Sequence, residues 1–325
     1  ITGYAASQLV YVAAKLGLAD LLAEGPQSVE RLAERTRTDR GSLYRVMRGL
    51  AAVGVLRETG AGLFELSEVG VCLRKDVPGS LGAMALCSDE SYSVWGHLLH
   101  TVTTGETAFR HAYGVSRYQY LEQHPEAAGS FNRAMAGLAA QLAAALIAAY
   151  DFSTFARVVD VGGGSGALLK AILKANPKLS GVLCDTPNIV ADAAGQLSGE
   201  DLGGRCEVVA GDFFESVPAG GDLYILSHVL HNWDDESCRR ILRNCRAAVA
   251  PGGRLLVAEI VMPARPENSF NAYPLVMTDL QMLVMTGGRE RGEEEFRALL
   301  SAAGFEMTRV IPTRGLDSLI ECAPV

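Results

Sequence analysis

Apolar positions along the chain change their period near residue 157. Before it they recur at near-helical spacing. In 4-YAASQLVYVAAKLGLADLLAEG-25 the residues Leu9, Val12, Ala13, Leu16, Leu18 and Leu22 predict an amphipathic helix. The stretch 28-SVERLAERT-36 predicts a second helix with Ser28 as its N-cap. Asp39 leads into a third, 41-GSLYRVMRGLAAVGVL-56, which Gly54 ends. Next, 56-LRETGAGLFELSEVG-70 reads as two short strands around a Gly turn. Residues 80–150 are again mostly helical and carry Trp95, Phe109, Tyr113, Tyr118, Tyr120 and Phe131. Aromatics at that density suit the lid of a pocket, and packing between domains explains them equally well.

From residue 157 short apolar runs alternate with helical segments. The runs 157-RVVDVG-162, 181-GVLCD-185, 206-CEVVAG-211, 222-DLYILS-227 and 254-RLLVAE-259 predict parallel strands. The last two, 305-FEMTRVI-311 and 317-DSLIEC-322, predict an antiparallel hairpin at one edge. The fold class expected is α/β, a Rossmann-like seven-stranded sheet behind a mostly α-helical domain. That first domain has the helix–turn–helix–hairpin order of a winged helix. The expected boundaries are 1–100 for the winged-helix-like domain, 101–150 for a helical linker and pocket lid, and 151–325 for the sheet domain.

Composition narrows the function classes. With 49% hydrophobic and 20% charged residues, the 325-residue chain has ample apolar surface for a core. No apolar run reaches the ~20 residues that cross a bilayer. The most apolar stretch, 134-AMAGLAAQLAAALIAAY-150, carries Gln141 and reads as a buried or interface helix. Together with helix 4–25 it is a candidate surface for a homodimer. The net charge of −8, and Glu30, Glu34 and Asp39 among Arg45 and Arg48, argue against nucleic-acid binding. The first residue is Ile1, so a short N-terminal tail is expected to be missing, and no secretory signal is read. Seven scattered cysteines without a C-x-x-C pair argue for a reducing cytoplasm and against a disulfide or zinc framework. His97, His100, His111 and His124 form no metal-ligand spacing with acids, so no metal is expected.

Candidate chemistry centres on 158-VVDVGGGSGALLKAILKANP-177, a strand running into glycines and then a helix. Gly162, Gly164 and Ala167 satisfy the dinucleotide fingerprint, which by itself is a weak match. Asp185 ends the next strand, where a carboxylate accepts ribose hydroxyls. A nicotinamide dinucleotide and S-adenosylmethionine share that ribose, so Asp185 does not separate them. Asp160 does, because it faces a cationic α-amino group favourably and a pyrophosphate not at all. Gly211, Asp212 and Phe213 of 211-GDFF-214 offer an acid and an apolar face to adenine, and 227-SHVLHNWDDE-236 sets Ser227, His231 and Trp233 near the reactive end.

These motifs, in their order, resemble a class I S-adenosylmethionine-dependent O-methyltransferase. The type is that of plant phenolic and bacterial natural-product enzymes with an N-terminal dimerisation domain. The resemblance extends through CDTP, GDFFESVP, LRNCRAAVAPGGRLLVAE and GGRERGEEEF over nearly the whole chain. It implies S-adenosylmethionine held by Asp160, Gly162, Gly164, Asp185, Asp212 and Phe213, with S-adenosylhomocysteine as product. It implies His231 as general base, with Glu259 and Glu290 flanking and orienting it. Phe131 and Met135 resemble pocket residues, and Trp95, His228 and Asp279 are further candidates for contact with the acceptor. The expected reaction is methylation of a phenolic or enolic hydroxyl on an aromatic small molecule by a cytoplasmic homodimer. Ser227, Asn232 and Gly292 depart from the plant pattern, and Gly292 is expected to loosen the helix start beside Glu290. Three other readings are a repurposed relative without methyl transfer, a ligand-sensing DNA regulator and a nicotinamide-dependent oxidoreductase.

Overall fold

The computed structural model describes residues 2–77, 79–197, 202–265 and 272–325. The chain divides into two compact units, Ile1–His97 with Tyr118–Leu138, and Leu98–Arg117 with Ala139–Val325.

The chain opens with α1 (Gly3–Lys15), α2 (Leu18–Leu21), β1 (Gln27–Ser28), α3 (Val29–Thr36), α4 (Arg40–Ala52), β2 (Leu56–Gly60), β3 (Leu63–Leu66), α5 (Glu68–Val71) and α6 (Gly82–Trp95). The single helix expected over 4–25 is broken. Gly17 adopts φ +64°, a left-handed conformation that ends α1 and starts α2 afresh. Ser28 does cap α3, accepting the Arg31 N–H at 3.3 Å, and Asp39 caps α4 by accepting that of Ser42 at 2.7 Å. The strands form an antiparallel sheet in the order β1-β3-β2. Leu18, Leu22, Leu32, Leu43, Met47, Leu50 and Phe64 make the core of this unit.

Four helices follow, α7 (Leu98–Thr104), α8 (Ala108–Tyr113), α9 (Arg117–Gln123) and α10 (Pro125–Ala149). The segment 101–150, expected as one linker and lid, is therefore divided. Residues up to Arg117 belong to the second unit, Tyr118–Leu138 to the first, and the rest to the second again. One continuous 25-residue helix, α10, causes the last change of side. By length and composition α10 is long and apolar enough to cross a membrane, with a mean hydropathy of 1.3 over its best window. That exceeds the run length expected from sequence. Its C-terminal Leu142, Ala143 and Leu146 are buried in the core of the second unit, while only 22% of its most apolar stretch is buried.

The second unit is built on β4 (Arg157–Val161), β5 (Ser180–Asp185), β6 (Cys206–Ala210), β7 (Leu223–Ser227), β8 (Arg254–Glu259), β9 (Val261–Met262), β10 (Arg291–Gly292), β11 (Phe305–Pro312) and β12 (Ser318–Pro324). Seven of these form one sheet in the order β11-β12-β8-β7-β4-β5-β6. β4 to β8 run parallel, and β12 and β11 close one edge antiparallel. Helices α11 (Ala167–Ala175), α12 (Pro187–Leu197), α13 (Asp235–Ala248), α14 (Ala272–Met285) and α15 (Glu293–Ser301) complete the unit. The central strands are apolar on both sides because two separate cores cover the two faces. Strand order reverses between β4 and β7, which opens a crevice at the carboxyl ends of these strands. The short parallel pair β9–β10 joins the segment after β8 to the start of α15.

Candidate active site

At the crevice the chain leaves β4 through Gly162, Gly163 and Gly164 and enters α11 after Gly166. Gly164 stands at φ +59°, and the space where its Cβ would project is open. At Gly163 an added Cβ would collide with the Asp160 carboxylate. The turn thus lies directly on that acid and leaves bare backbone facing outward. Asp160 is 1% exposed and neither of its oxygens has a hydrogen-bond partner. Burial, with Asp185 adding to it, pushes its carboxyl up to about 7. A buried carboxylate in this state lacks a cation, and an α-ammonium group is one that fits.

Asp185, at the end of β5, accepts the Gly164 N–H at 2.9 Å and the Thr186 N–H at 2.7 Å. Burial raises its carboxyl while these two donors pull it back down. Gly211 follows β6. Asp212 is exposed, and one oxygen caps its own turn by accepting the Phe214 N–H at 2.8 Å. The Phe213, Phe214 and Trp233 rings meet edge to face, with centroids 4.9 Å (Phe213–Phe214), 6.2 Å (Phe213–Trp233) and 4.8 Å (Phe214–Trp233) apart. A Cβ built on Gly162 would reach the Phe213 ring at 3.4 Å, so this aromatic wall borders the glycine turn. These residues suit a nucleoside with a cationic tail: a carboxylate for the cation, another for hydroxyls, and rings for a base. Ser227 closes β7 beside Ala258 of β8.

One 3₁₀ turn after β7, Leu230–Asn232, presents His231. Its Nδ1 lies 2.8 Å from Glu290 Oε1, and both side chains are buried. The Nε2 is the ring nitrogen left for a ligand. Glu259 does not touch the imidazole. Its Oε1 instead accepts the N–H groups of Leu230 at 2.6 Å and His231 at 3.2 Å. The expected pair of acids around the histidine thus divides into one that holds the ring and one that holds the backbone. Burial raises the Glu259 carboxyl, with His231 opposing and Glu290 adding to the rise. Glu290 is held in turn, since its N–H donates to Asp279 Oδ1 at 2.9 Å. Gly292 does not loosen this region: its N–H donates to Glu295 Oε2 at 2.8 Å and closes the start of α15.

Sequence reasoning missed Arg291. It is fully buried and donates to Leu230 O at 3.0 Å, Trp233 O at 2.8 Å and Asp235 Oδ1 at 2.9 Å. The turn bearing His231 is thereby gripped at its N–H groups by an anion and at its carbonyls by a cation. Gly288 is the second omission, for a Cβ there would run into the carbonyl of His231. The only sequence signal for either was the GGRER run that also supplies Glu290.

His228 stands three residues before His231 at φ +53°, and its Nε2 lies 2.6 Å from Asp317 Oδ1. The two imidazole centroids are 5.3 Å apart. Trp95 ends α6, and Phe131 and Met135 lie on α10. All three are half-buried members of the first unit. The expectation that no histidines gather with an acid fails at His100, Glu106 and His111, whose ligand atoms lie within 4.8 Å of one another. Folding of α7 against α8 brings them together. His100 Nε2 is paired with Glu106 at 2.9 Å, and the two rings stack at 3.8 Å with planes 18° apart. Nearly parallel rings cannot both aim in-plane lone pairs at one ion, so the cluster is arranged as a surface pair.

The chain matches two family models, an O-methyltransferase dimerisation domain over residues 1–76 and an O-methyltransferase domain over residues 95–306. It is 45% identical to a phenazine O-methyltransferase of Lysobacter antibioticus, covering 100% of this chain and 94% of that protein. It is 42% identical to an O-demethylpuromycin O-methyltransferase of Streptomyces alboniger, covering 100% and 88%. Among solved structures it is similar to an O-methyltransferase from neocarzinostatin biosynthesis in complex with S-adenosylmethionine and 2-hydroxy-5-methyl naphthoic acid. That likeness has a TM-score of 0.84 at 35% identity and covers 99% of this chain and 96% of the other.

Proposed function

The chain belongs to the O-methyltransferase family, and we propose that it methylates a phenolic or enolic hydroxyl of an aromatic secondary metabolite, with His231 as general base. The methyl donor is S-adenosylmethionine, which on binding supplies an electrophilic methyl to the oxygen that His231 deprotonates. Asp160 meets its α-ammonium group, Gly162 and Gly164 line its backbone, Asp185 takes the ribose hydroxyls, and Asp212 and Phe213 take the adenine, bordered by Gly211, Ser227 and Trp233. The unpartnered Asp160 carboxylate and the open backbone at Gly164 support this assignment.

The hydrogen bond from His231 Nδ1 to Glu290 carries the proposal for the base. A phenol near pKa ~10 is a poor nucleophile while protonated, and a neutral imidazole can accept its proton as general base while the methyl group is transferred. Glu290 fixes the tautomer with the proton on Nδ1, so Nε2 accepts the hydroxyl proton. The same carboxylate then stabilises the imidazolium. Glu259 and Arg291 keep the turn from shifting, and a displacement of an ångström costs an aligned displacement reaction much of its rate. Trp95, Phe131, Met135, His228 and Asp279 are proposed on the acceptor side. The match of residues 1–76 to a dimerisation domain supports a homodimer.

The test is incubation with labelled S-adenosylmethionine and a panel of hydroxylated aromatics, beside His231→Ala. Labelled methyl ether from the wild type, reduced by a factor of ~10²–10⁴ in the variant, is the expected result. Equal rates in the two proteins remove the base assignment. A product that has gained one oxygen or lost carbon dioxide refutes methyl transfer.

A further inference from the structure

We infer that His228 and Asp317 form a second recognition dyad, one that selects acceptors carrying a carboxylate or carbonyl oxygen next to the hydroxyl to be methylated. The inference rests on the methyl-transfer reading above and names the acceptor class of that same site.

Four observations carry it. His228 keeps a left-handed backbone, φ +53°, a region that residues with side chains occupy chiefly where their surroundings force it. Here they do: its N–H donates to Ala258 O at 3.1 Å, and its carbonyl accepts the Asn232 Nδ2 at 3.0 Å. Its Nε2 is committed to Asp317 at 2.6 Å, which leaves Nδ1 as the nitrogen open to a ligand. The Asp317 side chain is 14% accessible and that of His228 is 31%, so the acid is covered while the imidazole still faces open space. Its ring lies 5.3 Å from that of His231, close enough for one small molecule to touch both. Burial works against the imidazolium, but Asp317, helped by Glu259 and Glu290, holds its pKa above the ordinary histidine value.

The chemistry follows from this pairing. A hydroxyl ortho or peri to a carbonyl or carboxylate shares its proton internally, and that bond opposes removal by a base. An imidazolium at His228 that donates to the neighbouring oxygen replaces the internal bond and frees the hydroxyl for His231. The oxygens of such a pair lie roughly 2.6 Å apart, so one molecule can offer an oxygen to each of two imidazoles whose centroids are 5.3 Å apart. A charge-assisted bond of this kind is stronger than its neutral counterpart.

The experiment compares an ortho-hydroxynaphthoate with an isomer that carries the hydroxyl on the other ring. Rates are measured in the wild type, in His228→Asn, which tolerates a left-handed backbone, and in Asp317→Asn, which leaves His228 in place. The expected result is a kcat/KM ratio favouring the ortho isomer by roughly ten- to a hundredfold in the wild type and falling toward one in both variants. Calorimetric binding of the ortho isomer to the protein loaded with S-adenosylhomocysteine is expected to weaken by a similar factor, and it requires no turnover. A wild type without preference, or variants that keep the ratio, overturn the dyad. Calorimetric discrimination in a protein that methylates neither isomer supports the dyad and counts against the proposed action of His231 on these acceptors instead.

Discussion

Asp160→Asn tests the cofactor contact proposed for Asp160 and leaves His231 in place. The carboxyl rises from its ordinary 3.8 to about 7 on folding. A rise of that size corresponds to roughly 4 kcal/mol when the group is fully ionised. The sign follows from the direction of the shift. A carboxyl raised by folding favours the native state while protonated. Its contribution is therefore complete below about pH 4 and is lost as pH climbs through 7. The cofactor-free wild type should lose several degrees of Tm between pH 5 and 8, and Asp160→Asn should flatten that slope. A cation opposite Asp160 must displace the proton to bind. About a tenth of the carboxyl is ionised at pH 6, so S-adenosylmethionine should bind roughly tenfold more weakly there than at pH 8. The variant should lose this pH dependence and bind ten- to a hundredfold more weakly at pH 8. Thermal melts and calorimetry on the same samples read both effects. Parallel melting profiles, with equal affinity in both proteins from pH 6 to 8, would falsify the argument.

Glu290→Gln keeps the shape of the side chain at Nδ1 and removes its charge. It should lower kcat by ~10² or more while the Kd for S-adenosylmethionine stays put, so an unchanged kcat excludes Glu290 as the orienting group. Glu259→Ala strands two buried N–H groups, those of Leu230 and His231, at about 1–3 kcal/mol each. Denaturant unfolding should register the loss together with a reduced kcat, and a variant as stable as the wild type contradicts the proposed grip on the turn. Gly288→Ala puts a methyl group into the carbonyl of His231. Steady-state kinetics should show kcat reduced more than tenfold in a protein that still folds, because only the turn has to move. Full activity in that variant argues that the position of His231 is not critical.

The central strands β4, β5, β7 and β8 were legible because they are buried almost throughout and read as nearly continuous apolar runs. The edge hairpin and the cap at Ser28 were legible because they are local. Gly17 was not, since a glycine inside a helical pattern shows its left-handed turn only when the chain on either side packs in different directions. At the site, residue type was readable and bonding partner was not. An acid ending an apolar strand must satisfy something, which marked Glu259, yet the pattern could not say that its partners are N–H groups rather than the imidazole. Asp317 meets His228 across 89 positions, and Arg291 meets Leu230 across 61. No periodicity links such pairs. They exist because β12 folds back along β8 and β10 pairs with β9, bringing the last quarter of the chain to the carboxyl ends of the parallel strands. The histidine turn therefore takes its shape from segments made long after it in sequence. Its bare motif, LHNW, marks where chemistry is to be sought, and the role proposed for the imidazole rests on Glu259, Glu290 and Arg291 holding the turn and the ring in place.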